Sequence, residues 1–125
     1  MNITAGQKEL DIVSRITKTK VSVSGSDVMI HARKYRVNLS AKLNLQAYFG
    51  ALHVLIDSVE VEGITIPFVA KSVVQSHILG LDGRLPHCAT MTKLSNSGVA
   101  IQIPGVKFES VSVESENITV EITYT

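Results

Sequence analysis

The feature that most constrains the fold is a fifteen-residue stretch in which apolar and polar residues alternate without interruption. It reads YRVNLSAKLNLQAYF and covers residues 35–49. A period of two is typical of a β-strand with one apolar and one polar face. At about 3.3 Å per residue the strand would be roughly 50 Å long, whereas most strands have about 5–6 residues. The stretch predicts one continuous strand that buries Leu39, Leu43 and Leu45 and exposes Asn38, Lys42 and Gln46.

Two segments have helical spacing instead. Residues 5–18 place Leu10 and Val13 three residues apart, and Thr4 with Gln7 resembles a capping box. This helix either packs on the core or faces a partner or membrane. Residues 67–79 begin with Pro67, end before Gly80 and carry an apolar stripe, so they predict an amphipathic helix. The stripe consists of Ala70, Val73, Val74 and Ile78.

The remaining segments predict antiparallel strands. Residues 20–32 form a hairpin around SGSD, residues 64–66 a short strand, and residues 99–103, 106–114 and 117–124 three further strands. The apolar phase slips at Arg33-Lys34, which requires a bulge or short turn, and again after Asp57-Ser58. Helices separated by runs of antiparallel strands indicate an α+β fold.

The long strand cannot lie straight in a compact domain of this length. From radius-of-gyration scaling, a sphere of 125 residues is roughly 36 Å across. The strand must therefore coil strongly, or the domain must be elongated. Ala41 and Ala47 are small gaps in its apolar row, which suggests that the 67–79 helix lies close against a concave sheet.

Composition narrows the function classes. The 125 residues suit a single domain (1–125), be it complete, a half-module or one domain of a longer protein. A net charge of +1 gives no general attraction to nucleic acid, and no apolar run is long enough to span a bilayer. The start has no signal-peptide pattern, so we expect either a cytoplasmic protein or one whose targeting segment was removed.

The order of motifs resembles a known family. ALHVLIDSVEVEGITIPFVAKSVVQSHILG gives a strand, a glycine turn, "IP" and an amphipathic helix, and IQIPGVKFESVSVESENITVEI follows. These segments resemble the tubular lipid-binding (TULIP-like) superfamily, most closely the LmeA-like bacterial phospholipid-binding proteins, over about residues 35–122. The resemblance implies a long, strongly curved antiparallel sheet wrapped around a helix, with an apolar groove for acyl chains.

No motif indicates an enzyme or a cofactor. The four histidines and Cys88 lack zinc-site spacing, and no nucleophile elbow, P-loop, dinucleotide or calcium motif occurs. Glu60 and Glu62 fall on the polar face of a strand, which accounts for them without catalysis. The sequence therefore predicts no catalytic residue, no metal site and no cofactor, and an enzyme ranks third among the function classes.

The basic cluster ARKYR, residues 32–36, is open to two interpretations. It is either a solvated edge beside the phase slip or a contact for phosphate groups. Among phosphate contacts, the resemblance favours lipid headgroups over nucleic acid, which would make a peripheral membrane contact.

Two functions remain as expectations. The first is non-enzymatic binding of a lipid or other hydrophobic small molecule between the 67–79 helix and the apolar face of the long strand. The second is a structural domain that self-associates, as a homodimer for example, through its sheet edges or its apolar groove. The side chains expected to touch acyl chains are Leu43, Leu45, Phe49 and Phe68.

Overall fold

A computed structural model of the protein describes residues 1–17, 19–34, 36–62, 64–66, 69–81, 88–95 and 97–125. Within these residues the chain forms two antiparallel sheets and two helices, which confirms the α+β class. The elements are β1 (Asn2–Ala5), α1 (Gln7–Thr17), β2 (Lys20–Ser24), β3 (Asp27–Lys34), β4 (Val37–Tyr48), β5 (Ala51–Val61), β6 (Ile64–Ile66), α2 (Val69–Leu79), β7 (Thr90–Lys93), β8 (Val99–Gln102), β9 (Val106–Glu114) and β10 (Asn117–Tyr124).

The two sheets differ in size. The larger one has the order β2-β3-β4-β5-β8-β7, with β6 also paired to β5. The smaller one has the order β1-β10-β9 and joins the two ends of the described chain. Consecutive strands pair through short turns in most of both sheets, as the hairpin signals predict.

The alternating stretch forms β4, a continuous strand of 12 residues. It is shorter than fifteen because Arg36 and Phe49 adopt positive φ values of 64° and 48° in the turns that bound it. Leu39 is buried, and Asn38 and Gln46 are exposed, as predicted. Tyr35 lies outside the described residues.

Three residues of β4 depart from the predicted burial. Leu43 and Leu45 are half-buried instead of buried, because they contact the small sheet, which covers this part of the strand incompletely. Lys42 is half-buried instead of exposed, and its ammonium lies 3.2 Å from the Asp27 carboxylate. The alternation therefore assigned each of these residues to the correct face of β4. It overestimated the difference in burial between the two faces.

Both predicted phase slips have a structural cause. Lys34 pairs with Val37, which places the apolar positions of β3 opposite those of β4. In β5, Ser58 pairs with Lys42 and Ile56 pairs with Leu43, which leaves Asp57 as the extra residue of a β-bulge. The bulge consequently keeps Ile56 and Val59 of β5 on the same face of the large sheet.

That face carries two adjoining apolar cores. Around α2, the side chains of Val74 and Ile78 pack with Ala41 on the sheet, as predicted for the 67–79 helix. Beside it, Leu10 of α1 and Ile118 of β10 pack with Val28 of β3. One half of the face is thus covered by α2 and the other by α1 with the small sheet. Pro67 and Phe68, with which the predicted helix begins, lie outside the described residues.

The start of α1 differs from the predicted capping box. Thr4 belongs to β1, and its hydroxyl lies 3.4 Å from that of Thr119. The N-cap is Gly6, whose backbone N–H donates to the Glu9 carboxylate at 2.8 Å. This bond lowers the pKa of Glu9. The helix begins two residues later than predicted because pairing with β10 holds the preceding residues in a strand.

Gln7 has a different role, which is to form hydrogen bonds with the backbone groups on the outer edge of β2. Its side-chain amide donates to the Val21 carbonyl at 3.2 Å, and its carbonyl accepts from the Val23 N–H at 2.9 Å. Ser14 of the same helix accepts from the Val21 N–H at 2.9 Å. Helix side chains therefore protect a sheet edge that would otherwise present free backbone groups.

We expect Gln7→Ala to destabilise the protein by about 1–2 kcal/mol, because two edge hydrogen bonds are lost. Urea unfolding measures the loss, and light scattering should report increased association through the uncovered β2 edge. Gln46→Ala, at an exposed position of β4, is the matched control. Equal stability and solubility of the two variants would contradict the edge role of Gln7.

Candidate functional site: an apolar groove

The small sheet has an apolar face that extends beyond the elements covering it. Ile3 pairs with Val120, Ile122 with Phe108, and Tyr124 with Val106, so these six side chains share one face. Towards Ile118, the same face is covered by α1 and the large sheet. Towards Tyr124, part of it remains uncovered, since Ile3 is 48% and Tyr124 67% exposed.

A turn closes one side of this uncovered part. In Ile103-Pro104-Gly105-Val106 the Val106 N–H donates to the Ile103 carbonyl at 3.1 Å, and Gly105 has a φ of 79°. Proline followed by a glycine at positive φ is the pattern of a type II turn. Turn and sheet enclose a groove of about 590 Å³, which we call the sheet-end groove. Its walls are formed by Ile3, Ile103, Pro104, Gly105, Val106, Phe108, Val120, Ile122 and Tyr124.

The chemistry of the sheet-end groove is almost entirely apolar. Among the described residues that form its walls none is charged, and the one polar side chain is that of Tyr124. The Tyr124 hydroxyl donates to the Met1 sulfur at 3.8 Å on the exposed rim. A site of this composition can hold hydrocarbon and offers a single hydroxyl for orientation.

A second cleft, of about 380 Å³, lies on the other side of the same turn. It shares Ile103, Pro104 and Val106 with the sheet-end groove and adds polar groups from Gln102 and Lys107. Phe49 stands at its edge, and we call it the Phe49 cleft. The two openings therefore form adjoining surfaces at one end of the protein.

The four side chains predicted to touch a ligand do not form a single site among the described residues. Leu43 and Leu45 pack under the small sheet, Phe49 is exposed at the β4–β5 turn, and Phe68 lies outside the described residues. The described residues leave only about 10 Å³ between α2 and β4, beside Ala41 and Val74. The ligand roles of these four residues stay predictions, and the larger apolar groove lies elsewhere.

The groove walls that sequence reasoning missed had a signal in the alternation of residues 117–124. The apolar residues of this alternation are Ile118, Val120, Ile122 and Tyr124. One short helix cannot cover a row of this length. Pro104-Gly105, between the predicted strands 99–103 and 106–114, supplies the turn that closes the groove.

Apart from Tyr124, no titratable side chain of the described residues lines the sheet-end groove. No group of three potential metal ligands occurs among them. Cys88 is exposed, His77 contacts the hydroxyl of buried Thr19 at 2.9 Å, and His87 lies outside the described residues. In the basic cluster, Arg33 and Arg36 are exposed at the β3–β4 turn. These residues add no chemistry to the groove.

The environment of His31 predicts that the stability of the fold depends on pH. Its ring contacts the hydroxyls of Ser22 and Ser40 at 3.3 and 3.0 Å, and partial burial, with a smaller contribution from Lys20, lowers its pKa below the ordinary value. The unfolded chain therefore takes up this proton first as the pH falls, so stability decreases from about pH 6.5 downward.

We expect His31→Gln to reduce the loss of stability between pH 7 and pH 5. Urea unfolding of both proteins across this range tests the expectation. A wild-type protein and a variant with parallel pH profiles would show that His31 has the same pKa in the folded and unfolded states.

Comparisons with known proteins do not assign this groove. Comparison of the chain with protein-family models, curated protein sequences and solved structures finds no match. Within the described ranges, neither helix is long and apolar enough to cross a membrane. The function is therefore argued from the residues of the groove itself.

Proposed function

We propose that the protein binds a lipid, or another apolar ligand with a hydrocarbon chain, in the sheet-end groove without chemically changing it. The observation that carries this proposal is the groove's combination of size and lining. Its volume of about 590 Å³ falls within the roughly 300–1,000 Å³ of small-molecule sites. Its walls are aliphatic and aromatic, with one hydroxyl at the rim.

The energetics favour a hydrocarbon chain as the occupant. Each methylene removed from water contributes about 0.8 kcal/mol, so about ten buried methylenes suffice for a micromolar dissociation constant before ordering costs. Because the walls carry no charged side chain, a charged group would lose hydration there without a partner. A single acyl chain with its polar end at the Tyr124 rim or in solvent suits these walls.

The TULIP-like resemblance is part of the proposal. It is supported by the order of strands and helix in residues 35–122 and by the packing of α2 against Ala41 on the face of the large sheet. In this interpretation the sheet curves strongly around α2. The ligand would then occupy an end of the fold, and not the interface of α2 with the sheet.

Self-association is the second candidate, and the exposure of β1 favours it. This edge strand places Ile3 at the groove, where it is 48% exposed. A second copy could pair with β1 or cover the groove, and either contact would remove apolar surface from water. Ligand and second copy would compete for the same walls.

A fluorescent fatty-acid displacement titration tests the proposal. We expect saturable binding by the wild-type protein and at least tenfold weaker binding by Ile103→Asp, which places a carboxylate in the groove wall. The matched control is Ile12→Asp, because Ile12 is an exposed apolar residue of α1 that does not line the groove. Equal loss of fatty-acid binding in both variants would contradict lipid binding. So would a wild-type protein that shows no saturable binding in the titration and forms a tight dimer in ultracentrifugation.

A further inference from the structure

Phe49 departs from two ordinary preferences, since large apolar side chains are usually buried and bulky residues usually have a negative φ. It is 88% exposed, more than any other large apolar residue in the described part of the chain. It also has a φ of 48°, followed by 78° at Gly50, in the two-residue turn between β4 and β5. Positive φ at both positions is the geometry of a type I′ turn, where asparagine-glycine is preferred and a bulky residue is strained.

The neighbours of Phe49 have both an apolar and a polar part. Its ring stacks edge-on against that of Tyr48, with centroids 4.4 Å apart, and Tyr48 is 56% exposed. The aliphatic part of Lys107 lies beside Gly50, since a Cβ added there would be 3.1 Å from the Lys107 Cγ. An exposed phenylalanine, an amphipathic tyrosine and a lysine stem thus lie together at this turn. Side chains of these types are found where the acyl chains of a bilayer meet the headgroups.

Contact between two copies is a weaker explanation for this tip. An aromatic side chain buries about 150–250 Å², so two tips meeting through Phe49 and Tyr48 would bury roughly 800 Å². Specific stable interfaces bury about 1,200–2,000 Å². A weak and reversible contact with a bilayer has no such minimum area, because each inserted apolar side chain adds to the partitioning free energy.

We propose that the β4–β5 turn is a membrane anchor, in which Phe49 inserts into the acyl region of a phospholipid bilayer while Tyr48 and Lys107 remain at the headgroups. This inference rests on the proposed function, because an anchor beside the sheet-end groove would hold the groove at the source of its ligand. The Phe49 cleft connects the two places, since it shares three residues with the groove.

The local charge predicts which bilayers are bound. The Lys107 ammonium lies 3.7 Å from the Glu109 carboxylate, so the tip carries little net charge. The basic cluster at Arg33 and Arg36 lies at the opposite end of β4, roughly 40 Å away along a 12-residue strand. Binding should therefore occur on neutral phosphatidylcholine vesicles, depend little on salt and not require these arginines.

Co-sedimentation with phosphatidylcholine vesicles tests the anchor with two variants of the 125-residue chain. Phe49→Asn should lower partitioning at least tenfold, because fully burying a phenylalanine contributes a factor of about ten to a hundred. It should at the same time raise the melting temperature by about 2–5 °C, because asparagine suits the turn. Opposite effects on stability and partitioning exclude unfolding as the cause. Arg33→Gln/Arg36→Gln should partition as the wild type does.

Phe49→Trp supplies a direct readout, since the chain contains no other tryptophan. Its emission should shift to shorter wavelength when vesicles are added. An unshifted emission, unchanged partitioning of Phe49→Asn, or a dimer that Phe49→Asn dissociates would each overturn the anchor. Fatty-acid binding by the wild-type protein is measured without vesicles. If the wild-type protein binds fatty acid but not vesicles, the anchor alone is overturned. If the wild-type protein does not bind fatty acid, the proposed function is overturned.

Discussion

Val74→Asp is expected to destabilise the protein by about 4 kcal/mol or more, which is a large part of the total stability of a domain of this size. Val74 is 4% exposed and packs in the core that joins α2 to Ala41 of the large sheet. An aspartate there would bury a carboxylate without a partner. Thermal unfolding should show a greatly lowered transition or none.

The matched control for this substitution is Ser72→Asp, which adds the same charge at an exposed position of α2. We expect it to unfold within a few degrees of the wild type. If Val74→Asp melted at the wild-type temperature, α2 would lie outside the core and would not pack on Ala41 of the large sheet.

Gln75→Glu is expected to cost about 3 kcal/mol at neutral pH, although it changes a single atom. Gln75 is 4% exposed, and its amide nitrogen donates to the carbonyls of Leu94 and Gly98, both at 2.9 Å. A carboxylate would face these two carbonyl oxygens as an unpaired charge, which raises its pKa in the folded state. The variant should therefore be most stable below the pKa of an unfolded glutamate and lose stability as the pH rises.

Gln75→Met separates the hydrogen bonds from the charge. It keeps a similar size and removes both donors, so we expect a loss of about 2 kcal/mol that does not depend on pH. Urea unfolding at pH 4.5 and pH 7.5 measures both variants. Identical pH profiles would mean that the Gln75 amide does not hold the segment from Leu94 to Gly98.

Local patterns were sufficient to predict most of the elements. Period two located β4, β9 and β10, and turn residues located the hairpin of β2 with β3, because these signals depend only on neighbouring residues. The strand β1 could not be predicted, because it depends on residues that are distant in the sequence. Its four residues are held by pairing with β10, more than 110 positions away, and a local pattern contains no record of such a partner.

The candidate groove could be predicted less well than the fold. The alternation shows that Ile122 and Tyr124 share a face, but it does not show how far α1 and the large sheet cover that face. The predicted ligand contacts at Leu43 and Leu45 illustrate the same limit. Their apolar face was assigned correctly, and the small sheet that packs on it could not be placed from sequence.

The most direct test of the central claim is an isotope-filtered NMR measurement of contacts between unlabelled palmitate and the labelled methyl groups of the intact protein. The account predicts intermolecular signals from Ile3, Ile103 and Ile122 in the sheet-end groove. Signals confined to Leu43 and Leu45, or saturating palmitate that contacts no methyl group, would contradict it.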